Sequence, residues 1–399
     1  VEWTDKNHYN LNATGNGFVN DHIKEIAYAD SSTPKGSSNY DRTKSLSYMA
    51  HASLTFDKKY TLAGSWRRQG NSAFSEFSRW SNFWSVSGSY SRHREKFFKV
   101  PWMHQLSFKA SFGNNGNSRI DTSSSYGSYS ISSGSYYGGH AGASQSSPAN
   151  PGLSWETTWI TNVGINLGFI NRINIAFEYY HRRTENVLYS GRVSSVITDA
   201  SVMRNVGEIT NNGIEFTLDA DIIKRPNFNW DLSINGARNR NMITKLYKDT
   251  YTGFFDSIWV EGASKDAWWL VRWAGVDPVT GAPMWYDYNG DLTYTFNYSD
   301  RVLLPQYTKQ PELAGGFTNA FKIYDFDLRI MMDYSFGGWD YTLNFQDDGQ
   351  NIIDENATVE ELVYWKKPGD VCENPKFVYD HGTMSYYNST RCLVSATYI

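Results

Sequence analysis

The stretch Ser45-Leu-Ser-Tyr-Met-Ala-His-Ala-Ser-Leu-Thr-Phe56 alternates apolar and polar side chains at every second residue. Its even positions carry Leu46, Tyr48, Ala50, Ala52, Leu54 and Phe56, and its odd positions carry Ser45, Ser47, Met49, His51, Ser53 and Thr55. Because successive side chains of a β-strand point to opposite faces, one face of this strand is apolar and the other is polar and faces water. The stretch therefore predicts a β-strand between an apolar environment and water.

The same alternation recurs in four further stretches, which are 103–112, 172–182, 214–221 and 326–336. In each of them the charged side chains stay on the polar face. An Arg or Lys at the midplane of a lipid-facing surface costs about 2–4 kcal/mol, so this separation is expected of membrane strands. Eight charged residues on the polar faces are predicted to line the interior of a barrel: Glu215, Asp219, Asp221, Asp231, Asp327, Asp333, Arg182 and Arg329.

Strand length also favours a membrane protein. Ordinary strands average about 5–6 residues, whereas a tilted membrane strand needs about 9–11. We predict about eleven strands of the longer kind. They are 1–8, 45–56, 60–68, 80–91, 103–112, 157–169, 172–182, 212–222, 228–237, 316–323 and 326–336. Since bacterial single-chain barrels have even strand numbers, the chain is expected to carry part of a barrel.

The connections between these strands alternate in length. Short turns lie near 57–59, 92–101, 170–172, 223–227 and 323–325, and long segments separate them at 9–43, 69–79, 113–156, 183–211 and 238–316. Short turns on the periplasmic side and long loops on the extracellular side are typical of outer-membrane barrels. The predicted fold class is therefore all-β, an antiparallel transmembrane β-barrel in a Gram-negative outer membrane.

A competing interpretation is a secreted or surface β-sandwich that binds glycans without entering a membrane, because sandwich strands also alternate. Aromatic residues make up 16% of the chain and the mean hydropathy is -0.54, which suits either fold. The formal net charge of -4 lacks the basic excess of a nucleic-acid-binding protein. The charge therefore predicts no contact with nucleic acid. The long alternating strands predict contact with a lipid bilayer.

Catalytic motifs are missing from the sequence. It contains no HExxH, GxSxG, Walker or GxGxxG motif, and the nearest approach, Gly15-Asn-Gly-Phe-Val-Asn20, lacks the third glycine. The prediction is a protein that is not an enzyme and holds no cofactor. Around Asn289-Gly290 a hairpin turn competes with a calcium loop, and the turn is favoured because an EF-hand needs its glycine five residues after the first Asp. A bridge between Cys372 and Cys392 stays open.

Aromatic residues in the long loops are the candidate ligand contacts, because flat amphipathic rings offer large contact areas to sugars and peptides. They are Trp259, Trp268, Trp269, Trp273, Trp285, Tyr286 and Tyr288 in the segment 238–316, and Tyr136 and Tyr137 in a Gly/Ser-rich loop. The competing interpretation is that these rings pack the loops or form an aromatic girdle at the membrane surface.

A series of phrases resembles the barrel of SusC/RagA-type TonB-dependent transporters. The phrases are Arg67-Arg-Gln-Gly-Asn-Ser-Ala-Phe74, Arg79-Trp80, Phe83-Trp-Ser-Val-Ser-Gly88, Ser111-Phe-Gly-Asn-Asn-Gly-Asn117, Asn150-Pro-Gly-Leu-Ser-Trp-Glu156, Asn205-Val-Gly-Glu-Ile-Thr-Asn-Asn-Gly-Ile-Glu215, Ala274-Gly-Val-Asp-Pro-Val-Thr-Gly-Ala-Pro283 and Pro311-Glu-Leu-Ala-Gly-Gly316. They follow the order of the family from about residue 40 to the end, and the series is more specific than any member.

The resemblance implies a 22-stranded barrel that works with a TonB-box plug, the inner-membrane TonB complex and a SusD-like surface lipoprotein, and that imports oligosaccharides or peptides. Residues 1–399 are then expected to form part of one barrel domain, with the plug, the TonB box and early strands before Val1 and further strands after Ile399. The loop around Trp268 and Trp269 resembles a family loop near the substrate cavity. Cys392 stands where the family usually has Trp.

Overall fold

A computed structural model describes residues 1–17, 35–137, 140–192, 201–247, 258–342, 363–376 and 389–399. Eleven of its strands pair in chain order into one antiparallel sheet, here called the wall. The wall strands are β1 Glu2–Thr14, β2 Lys35–Phe56, β3 Tyr60–Asn71, β4 Trp80–Ser91, β5 Met103–Asn117, β8 Glu156–Phe169, β9 Ile173–Glu185, β12 Gly207–Arg225, β13 Phe228–Leu246, β19 Leu313–Ile323 and β20 Phe326–Phe336. Strands β1 and β20 form its two edges.

The remaining elements lie in the connections between wall strands or after β20. The strands are β6 Ser128–Tyr137, β7 His140–Ser147, β10 Leu188–Arg192, β11 Ser201–Asn205, β14 Ala267–Leu270, β15 Arg272–Val276, β16 Pro283–Tyr286, β17 Leu292–Thr293, β18 Val302–Thr308, β21 Trp339–Tyr341 and β22 Leu393–Ser395. One short helix, α1, spans Thr122–Tyr126, and 3-10 turns span Arg92–Arg94, Tyr298–Asp300 and Thr390–Cys392. Within the described ranges, the structure has no helix with the length and apolarity that crossing a membrane requires.

The eleven predicted strands are confirmed, and the competing β-sandwich is not supported, because the wall strands form one sheet. Wall strands run from 11 residues in β20 to 22 residues in β2. Several extend beyond the predicted bounds, for example β13, which continues from 237 to Leu246. Backbone pairing continues past the apolar band. Polar residues lie on both faces there, so the two-residue alternation that predicts a strand is lost.

The register separates the two faces of the wall as the alternation predicts. Phe216 of β12 lies opposite Phe177 of β9, and its neighbour Glu215 lies opposite Glu178. Asp219 lies opposite Ser233, whose hydroxyl donates to the Asp219 Oδ1 at 2.7 Å. Apolar and polar rows therefore run across several strands, with the apolar rows on the outward, lipid-facing side of a barrel.

Two of the short connections are three-residue hairpin loops, 57–59 between β2 and β3 and 170–172 between β8 and β9. The first two residues of each loop have positive φ angles, 50° and 55° at Asp57 and Lys58 and 46° and 55° at Ile170 and Asn171. Two successive positive φ angles match the twist of the flanking strands, which explains such tight hairpins. The wall thus has tight turns at one end and long, folded connections at the other.

Candidate functional site

The segment 258–312 forms a folded unit above the wall, here called the loop unit. Strand β14 pairs with β18, and β15, β16 and β17 form a three-stranded sheet. Residues 389–392 lie against β15, because the Thr390 N–H donates to the Val271 carbonyl at 2.9 Å and the Thr390 hydroxyl accepts from the Trp273 N–H at 2.9 Å. Distant segments therefore stabilise the loop unit.

Aromatic rings run through the loop unit in a continuous row, here called the aromatic row. Trp273 meets Trp285 edge to face at 5.6 Å between ring centroids, Trp285 meets Phe296 at 5.7 Å, and Phe296 meets Tyr298 at 4.9 Å. Such edge-to-face pairs contribute about 0.5–1.5 kcal/mol beyond the area they bury. The row is consequently a packed structure before any ligand arrives.

Cationic side chains cover several rings predicted to contact ligand. Arg301 lies between the rings of Trp269 and Tyr298, with its Cζ 3.9 Å and 5.6 Å from their centroids. The Lys309 Nζ lies 4.1 Å from the Trp268 ring. Arg391 covers Trp273 at 5.3 Å, and Arg272 covers Tyr286 at 5.4 Å. Each of these cation–π contacts occupies one face of its ring, so a sugar or peptide would have to contact the opposite face or the ring edge.

The structure places the predicted contact residues in three different environments. Trp285 is 0% exposed and Trp268 3% exposed, so both rings are interior. Trp259 packs away from the aromatic row, against Tyr189 at 4.8 Å. Tyr136 and Tyr137 lie in β6, and their side chains are outside the described residues. Ligand contact by these residues stays a prediction, and the interior position of Trp268 and Trp285 agrees with the competing packing interpretation.

The exposed rings of the loop unit are tyrosines, of which Tyr288 was in the predicted contact set. Tyr288 is 68% exposed and Tyr298 45% exposed, and Tyr298 closes the aromatic row. Tyr298 and its partner Arg301 were absent from the predicted contact set. The segment before them alternates Leu292, Tyr294, Phe296 and Tyr298 with Thr293, Thr295, Asn297 and Ser299, a pattern that predicts a strand and does not mark ligand contact.

Hydrogen bonds to the Asp277 carboxylate stabilise a polar turn within the loop unit. The Asp277 Oδ1 accepts from the Val279 N–H at 2.9 Å, and its Oδ2 accepts from the Thr280 hydroxyl at 2.6 Å and the Tyr294 hydroxyl at 3.3 Å. The hydrogen bond from Thr280, followed by that from the Val279 backbone, lowers the pKa of Asp277. The Asp277 charge in turn raises the pKa of Tyr294. This turn contains the middle of the phrase 274–283.

The competition between a hairpin and a calcium loop is settled in favour of the hairpin. Strand β16 pairs with β17, and the Gly290 N–H donates to the Asp287 carbonyl at 3.1 Å. The Asp287 Oδ1 accepts from the Asp291 N–H at 2.9 Å, so this carboxylate stabilises the turn. Within the described ranges, no group of three or more His, Cys, Asp or Glu residues is arranged to hold a metal ion.

Cys392 is buried and Cys372 is partly exposed, and neither forms a disulfide in the structure. Cys392 precedes β22, which pairs with β21 beside Trp268. The Trp268 indole N–H donates to the Trp339 carbonyl at 3.1 Å. Cys392 thus belongs to the packing at the base of the loop unit.

Three of the resemblance phrases converge in a second packed region, here called the junction. Phe74 stacks on Trp155 at 5.0 Å, and the Ser75 hydroxyl donates to the Pro151 carbonyl at 2.6 Å. Asn205 accepts from the Ser154 N–H at 2.9 Å and donates to the Ser154 and Asn186 carbonyls at 3.0 Å and 2.7 Å. Sequence reasoning placed these residues in separate loops and missed their contact.

The polar face of the wall carries an ion pair that spans three strands. Lys109 of β5 reaches Glu178 of β9 across Gly164 of β8. A Cβ at position 164 would lie 2.6 Å from the Lys109 Cε, so glycine permits this crossing. The pair and neighbouring Ser87, Ser111 and Asn162 line a cavity of about 290 Å³. The predicted interior charge Arg182 lies over the Tyr180 ring at 4.7 Å.

A single antiparallel sheet with one apolar face, tight turns at one end and folded loops at the other defines a β-barrel wall of the outer-membrane class. The chain belongs to the TonB dependent receptor-like, beta-barrel family, whose model matches residues 2–353. The expectation drawn from the phrases is thereby confirmed at the level of the family.

Relatives and solved structures agree with this assignment. The chain is 26% identical over 378 residues to TonB-dependent receptor P3 of Formosa agariphila, covering 86% of this chain and 37% of that protein. It is 30% identical over 233 residues to TonB-dependent receptor SusC of Bacteroides thetaiotaomicron, covering 56% and 23%. The fold matches a chain of the RagAB peptide transporter with a TM-score of 0.86 at 24% identity, covering 99% and 44%. The chain spans less than half of each of these proteins.

Proposed function

We propose that the chain is the partial barrel wall of a SusC-like outer-membrane transporter that imports oligosaccharide or peptide nutrients. The family match over residues 2–353 carries this proposal. The fold shared with the RagAB peptide transporter supports the peptide class, and the oligosaccharide class rests on the resemblance to SusC/RagA-type transporters. A SusD-like surface lipoprotein and the TonB complex are the proposed partners.

The experiment compares a strain that lacks the gene with one that carries it on a plasmid. Uptake is measured with fluorescent oligosaccharide and peptide pools, before and after deletion of the energising TonB protein. We expect uptake of one of the two pools to be lost in both deletion strains. We also expect a surface lipoprotein to copurify with the tagged receptor. Equal uptake of both pools in all strains would reject transport.

We further propose that ligand contact in the loop unit falls to the exposed and partly buried rings, Tyr288, Tyr298, Trp269, Trp273 and Tyr286. Trp268 and Trp285 support them from the interior. A ring that already packs on its own chain needs little ordering when ligand binds, which favours affinity. Trp259, Tyr136 and Tyr137 remain candidates of other loops.

The test substitutes Tyr288→Ala and Tyr298→Ala in the complete receptor and measures the apparent affinity of uptake. The matched control is Tyr324→Ala, since Tyr324 is 66% exposed in the turn between β19 and β20 at the opposite end of the wall. We expect a loss of about tenfold for the double variant, at about 0.5–1 kcal/mol per stacked ring. Unchanged affinity beside unchanged control uptake would remove this assignment.

A further inference from the structure

A cavity of about 360 Å³ opens at the edge of β13, near the loop end of the wall. Below it, β13 pairs with β19 as far as Ala237 and Ala314. Above it, residues 262 and 263 close the edge, because Ile243 exchanges backbone hydrogen bonds of 2.8 Å with both. The cavity is therefore a gap between two closed stretches, with Arg238 and Arg240 in its lining.

The two arginines lie on the outward face of the wall. Arg238 lies opposite Ile214 of β12, and Ile214 lies opposite Tyr179 of β9, so Arg238 continues an apolar outward row. Arg240 follows two residues later on the same face, opposite Asn212. Both arginines are exposed. They therefore lie where the apolar band of the outward face ends towards the loops.

The guanidinium groups of Arg238 and Arg240 differ in their partners from the neighbouring cations at the loop end of the wall. Arg183 is paired with Glu208 at 2.8 Å, and Lys245 lies 3.9 Å from the same carboxylate. Among the described residues, neither Arg238 nor Arg240 has a carboxylate oxygen within 4.0 Å. Glu312 also lines the cavity, and it directly precedes Leu313, whose partner Phe336 belongs to the outward row. Alternation assigns Glu312 to the opposite side of the wall.

An aromatic side chain marks the membrane boundary just below the pair. Tyr334 of β20 lies on the outward face, and its hydroxyl donates to the Asn235 carbonyl at 2.8 Å. Through Gly315 it belongs to the same row as Gly236, two residues before Arg238. Tyrosines of outer-membrane barrels concentrate at the level of the lipid headgroups. Arg238 and Arg240 therefore lie at headgroup height.

We propose that Arg238 and Arg240 form a site for a phosphate group of an outer-leaflet glycolipid. A guanidinium binds phosphate through two parallel N–H donors, and two such groups on one strand face can hold one phosphate or two adjacent ones. Basic side chains at headgroup height attract anionic lipids. The acyl chains of that lipid would lie along the apolar rows below. The site depends on insertion of the wall in a membrane. It does not depend on which nutrient the receptor imports.

The test uses native mass spectrometry of the complete detergent-purified receptor that contains this chain. The probes are bisphosphorylated lipid A, lipid A with its phosphates removed, and inorganic phosphate as competitor. We compare Arg238→Ala/Arg240→Ala with Arg238→Lys/Arg240→Lys. The matched control is Arg92→Ala/Arg94→Ala, since Arg92 and Arg94 are also exposed and two residues apart but lie at the turn end of the wall.

We expect the alanine pair to weaken binding of bisphosphorylated lipid A by about tenfold for each guanidinium, with the control unchanged. The lysine pair should recover only part of the affinity, because lysine binds phosphate as a point charge. Equal binding of dephosphorylated lipid A, or an unchanged alanine pair, would overturn the proposal. Full displacement by millimolar phosphate would assign a free-anion site instead. Nutrient uptake is measured separately, so failure of the transport proposal is distinguishable.

Discussion

At the scale of single residues, Gly281 occupies a backbone conformation that other residues avoid. Its φ is +71°, and a Cβ there would lie 2.4 Å from the Trp365 ring. The Trp365 indole N–H donates to the Pro278 carbonyl at 3.0 Å, so the ring is held in place. The residue after Thr280 in the phrase 274–283 is therefore glycine for a steric reason.

We predict that Gly281→Ala releases the segment 363–376 from the loop unit. A left-handed conformation costs a residue with a Cβ about 1–3 kcal/mol, and the Trp365 contact adds to this cost. Faster proteolysis of residues 363–376 would be the sign of release. Gly369→Ala is the matched control, because Gly369 has φ +96° but open space around its Cβ position. Equal cleavage of both variants would contradict the role of the Trp365 contact.

Asp277 makes the loop unit sensitive to acid. Its pKa is lowered, first by the Thr280 hydroxyl and then by the Val279 N–H. A carboxyl with a lowered folded-state pKa stabilises the fold above its unfolded pKa, about 3.9, and this contribution is lost as the pH falls through the folded value.

We therefore predict that the loop unit loosens below about pH 3.9, as followed by tryptophan fluorescence. Asp277→Asn should reduce this pH dependence, because an amide does not titrate. Asp325→Asn serves as the control, since Asp325 is an exposed turn residue at the other end of the wall. An identical acid transition in Asp277→Asn would contradict the prediction.

At the scale of elements, the junction shows how separate phrases act together. Asn205, at the end of β11, uses both polar atoms of its amide to hold Ser154 and Asn186. Phe74 and Trp155 form the apolar side of the same contact. The phrases around residues 70, 150 and 205 therefore describe one packed region rather than three loops.

We predict that Asn205→Ala opens the junction. Unpaired backbone groups that are removed from water cost about 1–3 kcal/mol, and this substitution leaves two carbonyls and one N–H without their partner. The measurement is hydrogen exchange of the Ser154 amide, which should accelerate. Asn12→Ala in β1 is the control, since Asn12 is exposed. Unchanged exchange at Ser154 would show that the amide is dispensable.

At the scale of the whole molecule, the apolar outward face determines the behaviour in solution. Phe326, Leu328 and Met332 of β20 are exposed on this face, beside comparable rows on the other wall strands. Such a contiguous apolar surface exceeds what a soluble monomer tolerates.

We therefore predict that the chain stays dispersed in detergent and aggregates without it, as measured by sedimentation. Leu328→Asp/Ile330→Asp should weaken detergent binding, whereas Asp327→Asn/Arg329→Gln on the opposite face should not. Dispersion of the unmodified chain without detergent would contradict a membrane wall.

The parts of the structure that followed from the sequence are those built from local pattern. Alternation at 45–56 and 326–336 located strands, and short turns such as Asp57-Lys58 set their order, because both signals lie within neighbouring residues. The outer ends of β12 and β13 were missed, since strands outside the apolar band carry polar residues on both faces. For Trp268 and Trp285, aromatic count alone could not distinguish packing from ligand contact.

By itself, the sequence determined the all-β class, the eleven wall strands and the resemblance to the receptor family, because a side-chain period of two is a local property. Tertiary structure alone decided which rings of the loop unit are interior, which phrases meet at the junction and which arginines have no carboxylate partner among the described residues. These outcomes depend on contacts such as Phe74 with Trp155 and Arg301 with Trp269. Such contacts join distant residues, and only the packing of the whole chain brings them together.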